Sequence, residues 1–320
     1  MRMIIALFIA LLAAAAASAQ AQQKLALRLD WKPGGQHTPF YYAKERGYYA
    51  QEGIDLQLIS GSGSSDSVKQ LGARSVEVAI VDALVLVQAA EQRVPVKAIA
   101  VYYQRTPIVL ISPKAKPVTS VQQLAGDIKV GAGKGSAVYQ GLVAMLAANN
   151  LRPEQIKMVD IGFGVQPLLV RQVDALMGFT NVQPIELESA GMPPHELFIS
   201  DHGVSAYGLT IASNDEFIAK QPALLSGFLR ATKKAVQEVA AARQAGVDAV
   251  ARSAPEISAA REMKALERTF PLWSAKAGDV ASFGVQSEQG WQQTIDVAKR
   301  VGLVEKPPAP RNVYNASFLK

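Results

Sequence analysis

Residues 24–30 alternate in polarity and predict a strand, and Trp31 follows at its C-terminal end. In open α/β sheets this edge is where ligands gather. An indole there offers a face to a flat heteroaromatic ring, worth about 0.5–1.5 kcal/mol beyond burial. His37, in the loop that follows, carries an imidazole able to donate and to accept, either to a heterocycle or to the loop backbone. Tyr41 comes next on a predicted helix, beside Phe40 and Tyr42; at least one of the three belongs to the core, and Tyr41 is the candidate for the cleft. Gly61-Ser62-Gly63-Ser64 reads as a tight turn opening onto a helix N-terminus. Free N–H groups there suit an acceptor or an anion, with Ser62 and Ser64 as contacts. Plain N-capping by Ser64 or Ser65 explains the same residues. Asp82, at the end of the third predicted strand, is a further candidate for the same edge.

These residues suit holding better than bond-making. The chain has no cysteine, hence no disulfide, thiolate ligand or thiol nucleophile. Its three histidines (His37, His195 and His202) are too scattered to suggest a metal centre. Neither Gly-x-Ser-x-Gly nor His-Glu-x-x-His occurs, and no acid–base pair stands out. Gly133-Lys134-Gly135-Ser136 lacks the spacing of a phosphate-binding Walker loop. An enzyme is therefore not expected, and no cofactor or metal.

The elements that must position these side chains alternate strand and helix, which argues for mixed, mostly parallel sheets with helices on their faces. Strands are predicted at 24–30, 54–60, 76–81 and 96–103, and the pattern restarts after Pro117. A second set occupies roughly residues 113–212, with strands at 129–131, 157–161, 175–180 and 197–200. From Pro222 onward the texture is helical and rich in Ala, Lys, Arg, Glu and Gln. The simplest organisation is a discontinuous first lobe, residues 20–112 plus 213–320, with a second lobe, 113–212, inserted. The chain then crosses near Ile111-Ser112-Pro113 and near Ile211-Ala212-Ser213, two crossings that form a hinge around a ligand cleft.

Ahead of the lobes, Met1-Arg2-Met3, an apolar run over 4–17 and Ala17-Ser18-Ala19 have the layout of a secretory signal. Residues 1–19 are expected to be removed, with cleavage near Ala19 or Ala21. The run is short for a membrane span, which needs roughly 20 apolar residues. No cysteine follows it to carry a lipid, so the expectation is a free periplasmic protein. The net charge of +6 is dispersed among acidic residues with no long Lys/Arg run, which fits a solvated surface better than a nucleic-acid or acidic-lipid footprint, so no nucleic-acid partner is expected. A monomer is expected.

Several segments together resemble the NMT1/THI5-like solute-binding proteins: Leu29-Asp30-Trp31-Lys32-Pro33, His37-Thr38-Pro39-Phe40-Tyr41-Tyr42-Ala43, Gly47-Tyr48-Tyr49, Gly53-Ile54, the Gly61–Ser64 turn with the strand ending Val81-Asp82, and Asn181-Val182-Gln183-Pro184-Ile185-Glu186-Leu187-Glu188. The resemblance covers essentially the chain after the signal. It implies a two-lobed type II periplasmic-binding-protein fold, a small-molecule ligand, and delivery to an ABC importer permease with its ATPase. The start looks most similar to the branch that binds thiamine-precursor pyrimidines; other branches bind riboflavin, alkanesulfonates, taurine or nitrate. Lys32 and Gly34-Gly35 depart from the aromatic and Asn commoner in the pyrimidine binders. The resemblance also puts Ser136 and Tyr139 at the opposite wall of the cleft. It sets Glu186 against the pyrimidine ring, where a carboxylate makes charge-assisted two-point bonds to an aminopyrimidine edge, with Asn181 as a second polar contact. A surface helix carboxylate is the other reading of Glu186. The same branch includes pyrimidine-synthesising enzymes that carry a cysteine-rich iron motif, which this cysteine-free chain does not have.

Overall fold

The computed structural model describes residues 22–274 and 279–319. The expected signal and its cleavage site lie outside the described residues. Among the described residues ten strands form two five-stranded sheets. The first contains β1 (Gln23–Arg28), β2 (Ile54–Ile59), β3 (Val78–Asp82), β4 (Val96–Val101) and β10 (Leu209–Asn214), in the order β2-β1-β3-β10-β4. The second contains β5 (Ile108–Pro113), β6 (Lys129–Ala132), β7 (Lys157–Asp160), β8 (Ala175–Phe179) and β9 (Pro194–Phe198), in the order β7-β6-β8-β5-β9. In each sheet one strand runs against the other four, β10 in the first and β5 in the second. The mixed, mostly parallel expectation holds in that sense.

The reversed strands correct the sequence reading. Both predicted crossings fall inside strands: Ile111-Ser112-Pro113 in β5 and Ile211-Ala212-Ser213 in β10. The chain changes sheets earlier each time, within 102–107 and within 199–208. Pro113 and Ser213 look like breakers, but the apolar runs before them are sheet interior. Alternate residues of β5 serve opposite faces: Ile108 and Leu110 enter one core, Val109 and Ile111 the other. Pro113 is tolerated because it is the last residue of the strand. The second sheet's strands therefore span 108–198.

Helices cover both faces of the first sheet. The Thr38–Glu45 helix packs against Pro222–Ala241 and Arg243–Ser253. Its Phe40 meets Leu225, Phe228 and Val247 in one core with Leu25 and Leu27 of β1. On the other face the Glu288–Arg300 helix puts Trp291, Ile295 and Ala298 against Val81 and Leu86, while its Val297 reaches the second sheet's core. Each fully buried leucine or phenylalanine of this kind contributes about 1.5–3 kcal/mol before entropy is counted. Among the described residues no helix is long and apolar enough to cross a membrane.

Candidate functional site

The glycine turn after β2 fixes the residues after β1. Gly61 N–H donates to the Trp31 carbonyl at 3.0 Å, and Gly63 N–H to the Asp30 carbonyl at 2.9 Å. A Cβ on Gly61 would stand 1.9 Å from the Leu29 carbonyl oxygen, so only glycine lets the two loops meet. This turn is a clamp on Asp30-Trp31 more than a ligand cradle. Trp31 is left 55% exposed.

A cavity of about 500 Å³ opens beside this clamp. The first sheet's loops and helix starts contribute Asp30, Trp31, Gln36, Ser64, Ser65 and Asp82. Across the cavity the second sheet's elements bring Gln140, Phe163, Phe179 and Asn181. Tyr103, Thr106 and Tyr207 come from the two passages between the sheets. A smaller cavity of about 120 Å³ adjoins on the second-sheet side, sharing Ala137, Phe163 and Phe179 with the larger one.

Of the residues singled out in the sequence, Trp31, Ser64, Asp82 and Asn181 line the main cavity. Ser136 lines the smaller one; its hydroxyl donates to the Gly133 carbonyl at 2.6 Å and accepts from Tyr139 N–H. The other five lie off the main cavity. His37 is fully buried with its ring turned inward, and its Nε2–H donates to Asp30 Oδ1 at 2.7 Å. It positions a cavity carboxylate and does not itself reach the cavity. Tyr41 is buried in the first core, because the Thr38–Glu45 helix has helices on most of its surface. Ser62 faces outward, tied to Asp66 and Arg28. Tyr139 packs against the second sheet's core. Glu186 sits half-buried in the first turn of the Gln183–Ser189 helix, away from the lining residues.

Sequence reasoning passed over Asp30 and Tyr103. Asp30 looked like the end of a strand, although it stands in the same quoted segment as Trp31. Tyr103 read as strand interior, yet the strand ends at Val101 and Tyr103, almost fully buried, lines the cavity. Burial holds its phenol well above the ordinary range, and the Asp30 carboxylate adds to that. No signal in the sequence marks where β4 stops.

The electrostatics are acidic. Asp82 caps the Ala83–Glu91 helix, accepting from Leu84 N–H at 2.9 Å and from Val85 N–H at 3.4 Å. Its own N–H donates to Ser64 Oγ at 2.9 Å. Burial pushes its carboxyl up to about 6 against those two backbone donors, with the Asp30 charge adding to the rise. No lysine, arginine or histidine stands among the described residues that line the cavity. Nor is any cluster of three or more His, Asp or Glu among the described residues placed to hold a metal. The arrangement suits a flat ring with hydrogen-bond donors on its edge: an aromatic platform, carboxylate acceptors and several amides.

Solved structures share this architecture. The periplasmic aliphatic sulphonate binding protein SsuA of Escherichia coli superposes with a TM-score of 0.72 at 16% identity, over 93% of this chain and 94% of that one. The fold is that of a type II periplasmic binding protein, as the sequence implied. The riboflavin-binding protein RibY of Chloroflexus aurantiacus is 25% identical over 93% of this chain and 86% of its own length. A protein of Legionella pneumophila named 4-amino-5-hydroxymethyl-2-methylpyrimidine phosphate synthase is also 25% identical, over 93% of both chains. The family model described as NMT1/THI5 like matches residues 35–245, more than half of the sequence and the part that builds the cavity's second wall, and the chain belongs to that family.

Proposed function

We propose that this protein is the solute-binding component of an ABC importer, working in the periplasm, and that it captures a small neutral or cationic heteroaromatic solute such as an aminopyrimidine. The observation that carries the reading is the cavity itself: about 500 Å³, between two sheets, with Trp31 exposed on one wall and two aspartates but no basic side chain in its lining. That volume lies within the roughly 300–1,000 Å³ usual for small-molecule sites. Sulfonate, nitrate and phosphate would meet Asp30 and Asp82 with no cation to offset them, at a considerable desolvation cost. The role first assigned to Glu186 passes to Asp30 and Asp82. Each has one oxygen engaged, by His37 or by the helix cap; in this reading the other accepts from an aminopyrimidine edge. Riboflavin is the second candidate, on the strength of the RibY relative and the same aromatic platform.

Other relatives carry the name of a pyrimidine phosphate synthase. Two features support the binding role over that activity: the sequence has no cysteine, and the cavity lining has no lysine for a Schiff base. Native mass spectrometry of the protein as purified, followed by a thermal-shift screen, tests the reading. A retained heteroaromatic solute, or strong stabilisation by one, is expected. A retained phosphate ester or sulfonate would overturn it.

A further inference from the structure

Four large apolar side chains are exposed among the described residues: Trp31, Phe163, Val170 and Val285. Two of them line the same cavity from opposite sheets. Trp31 follows β1 and is 55% exposed; Phe163 follows β7 and is 76% exposed. Phe163 stands between Gly162 and Gly164, and Gly164 has φ +122°, where a side chain would be strained. A Cβ on either glycine would meet nothing within 4 Å, so open space surrounds this tip. Phe163 also belongs to the wall shared by the two cavities, so its ring has room on both sides. An aromatic ring left this open toward a cavity is a contact surface awaiting a partner.

We propose that Phe163 is the second stacking face of the site: it covers the solute opposite Trp31 and restricts the cleft to flat aromatic ligands. This rests on the binding reading above. Two aromatic walls admit a planar ring and give little to a compact anion or an aliphatic chain. The glycines let the tip approach the first lobe without repacking a core. The smaller cavity behind Phe163 leaves space for the ring to withdraw when the cleft is empty.

The tryptophan content makes the test direct. Trp273 and Trp291 are fully buried, so Trp31 is the one exposed tryptophan and its emission reports on the cleft. The wild type, Phe163→Ala, Phe163→Tyr, Phe163→Leu and Trp31→Phe are titrated with 4-amino-5-hydroxymethyl-2-methylpyrimidine and with riboflavin. Calorimetry gives the affinity, and acrylamide quenching gives the accessibility of Trp31. Phe163→Ala is expected to bind about tenfold more weakly, with Phe163→Tyr restoring affinity and Phe163→Leu not restoring it. Bound solute shields Trp31 from acrylamide in the wild type and shields it less in Phe163→Ala. If a solute binds the wild type and Phe163→Ala matches it within about twofold, the stacking role falls and the binding reading stands. If neither solute binds the wild type, both fall together. Phe163 is exposed and outside every core, so loss of folding does not confuse the comparison.

Discussion

Asp30 and Asp82 are two carboxylates at one cavity wall, and each is held by something behind it. His37 holds the first from below, with its Nδ1 buried and unpaired. The backbone of the Ala83–Glu91 helix holds the second. The sequence identified His37 as a useful type at a useful place, but residue type does not say which way a ring turns. The same limit applies to Tyr41 and Glu186, where helix phase decides. Asp82 carries a pH prediction. An unfolded aspartate titrates near 4, and in the folded protein the value is raised to about 6. Between those values the folded state binds the extra proton, so stability from this group falls as pH rises and its full cost is felt above about pH 6. Asp82→Asn keeps an oxygen for the helix cap and removes that cost. It is expected to be more stable than the wild type at pH 7 by up to roughly 2–3 kcal/mol, with the gap closing toward pH 4. Urea unfolding of the two proteins at both pH values checks this; a gap independent of pH contradicts it.

At the scale of elements, the loop that carries Gln36 to the cavity is fastened to a helix far away in sequence. Gly35 N–H donates to the buried Glu262 at 2.7 Å, Tyr102 donates to the Gln36 carbonyl, and a Cβ on Gly35 would lie 2.1 Å from the Glu262 carbonyl oxygen. Loop and helix therefore meet backbone to backbone. Gly35→Ala is expected to cost about 1–3 kcal/mol through overpacking. Glu262→Gln, which loses the charge but keeps an acceptor, should cost less than about 1.5 kcal/mol. Thermal unfolding ranks the two; an Ala variant as stable as the wild type would contradict the packing. This long-range contact was invisible in the sequence, whereas eight of the ten strands were legible within a few residues. The missing two, β5 and β10, are the reversed ones. Their apolar runs carry no sign of direction, and the residues that end them resemble linker punctuation. The glycine turn at Gly61–Ser64 was legible as a turn, but its purpose depends on Leu29, just past the end of the neighbouring strand β1.

For the whole molecule, the walls of the cavity come from two sheets joined by two short passages, and ion pairs cross between them. Arg268, on the Ala259–Thr269 helix that packs on the Gly35–His37 segment, pairs with Glu188 and Glu196 of the second sheet's elements. Lys264 reaches Glu188 at 3.3 Å, and within the second sheet's own elements Thr180 donates to Glu196 at 2.6 Å. Each sheet has its own main apolar cluster, and the two are bridged where Val297 of the Glu288–Arg300 helix enters the second sheet's core and Phe198 packs on the first. In the proposed role the architecture encloses the ligand and the lining selects its kind. The measurement that bears most directly on both is calorimetric titration with an aminopyrimidine, riboflavin and an alkanesulfonate, on the wild type and on Asp30→Asn. The account predicts binding of a heteroaromatic solute, weakened about tenfold or more in Asp30→Asn, and no heat from the sulfonate. Saturable sulfonate binding that survives or improves in Asp30→Asn would contradict it.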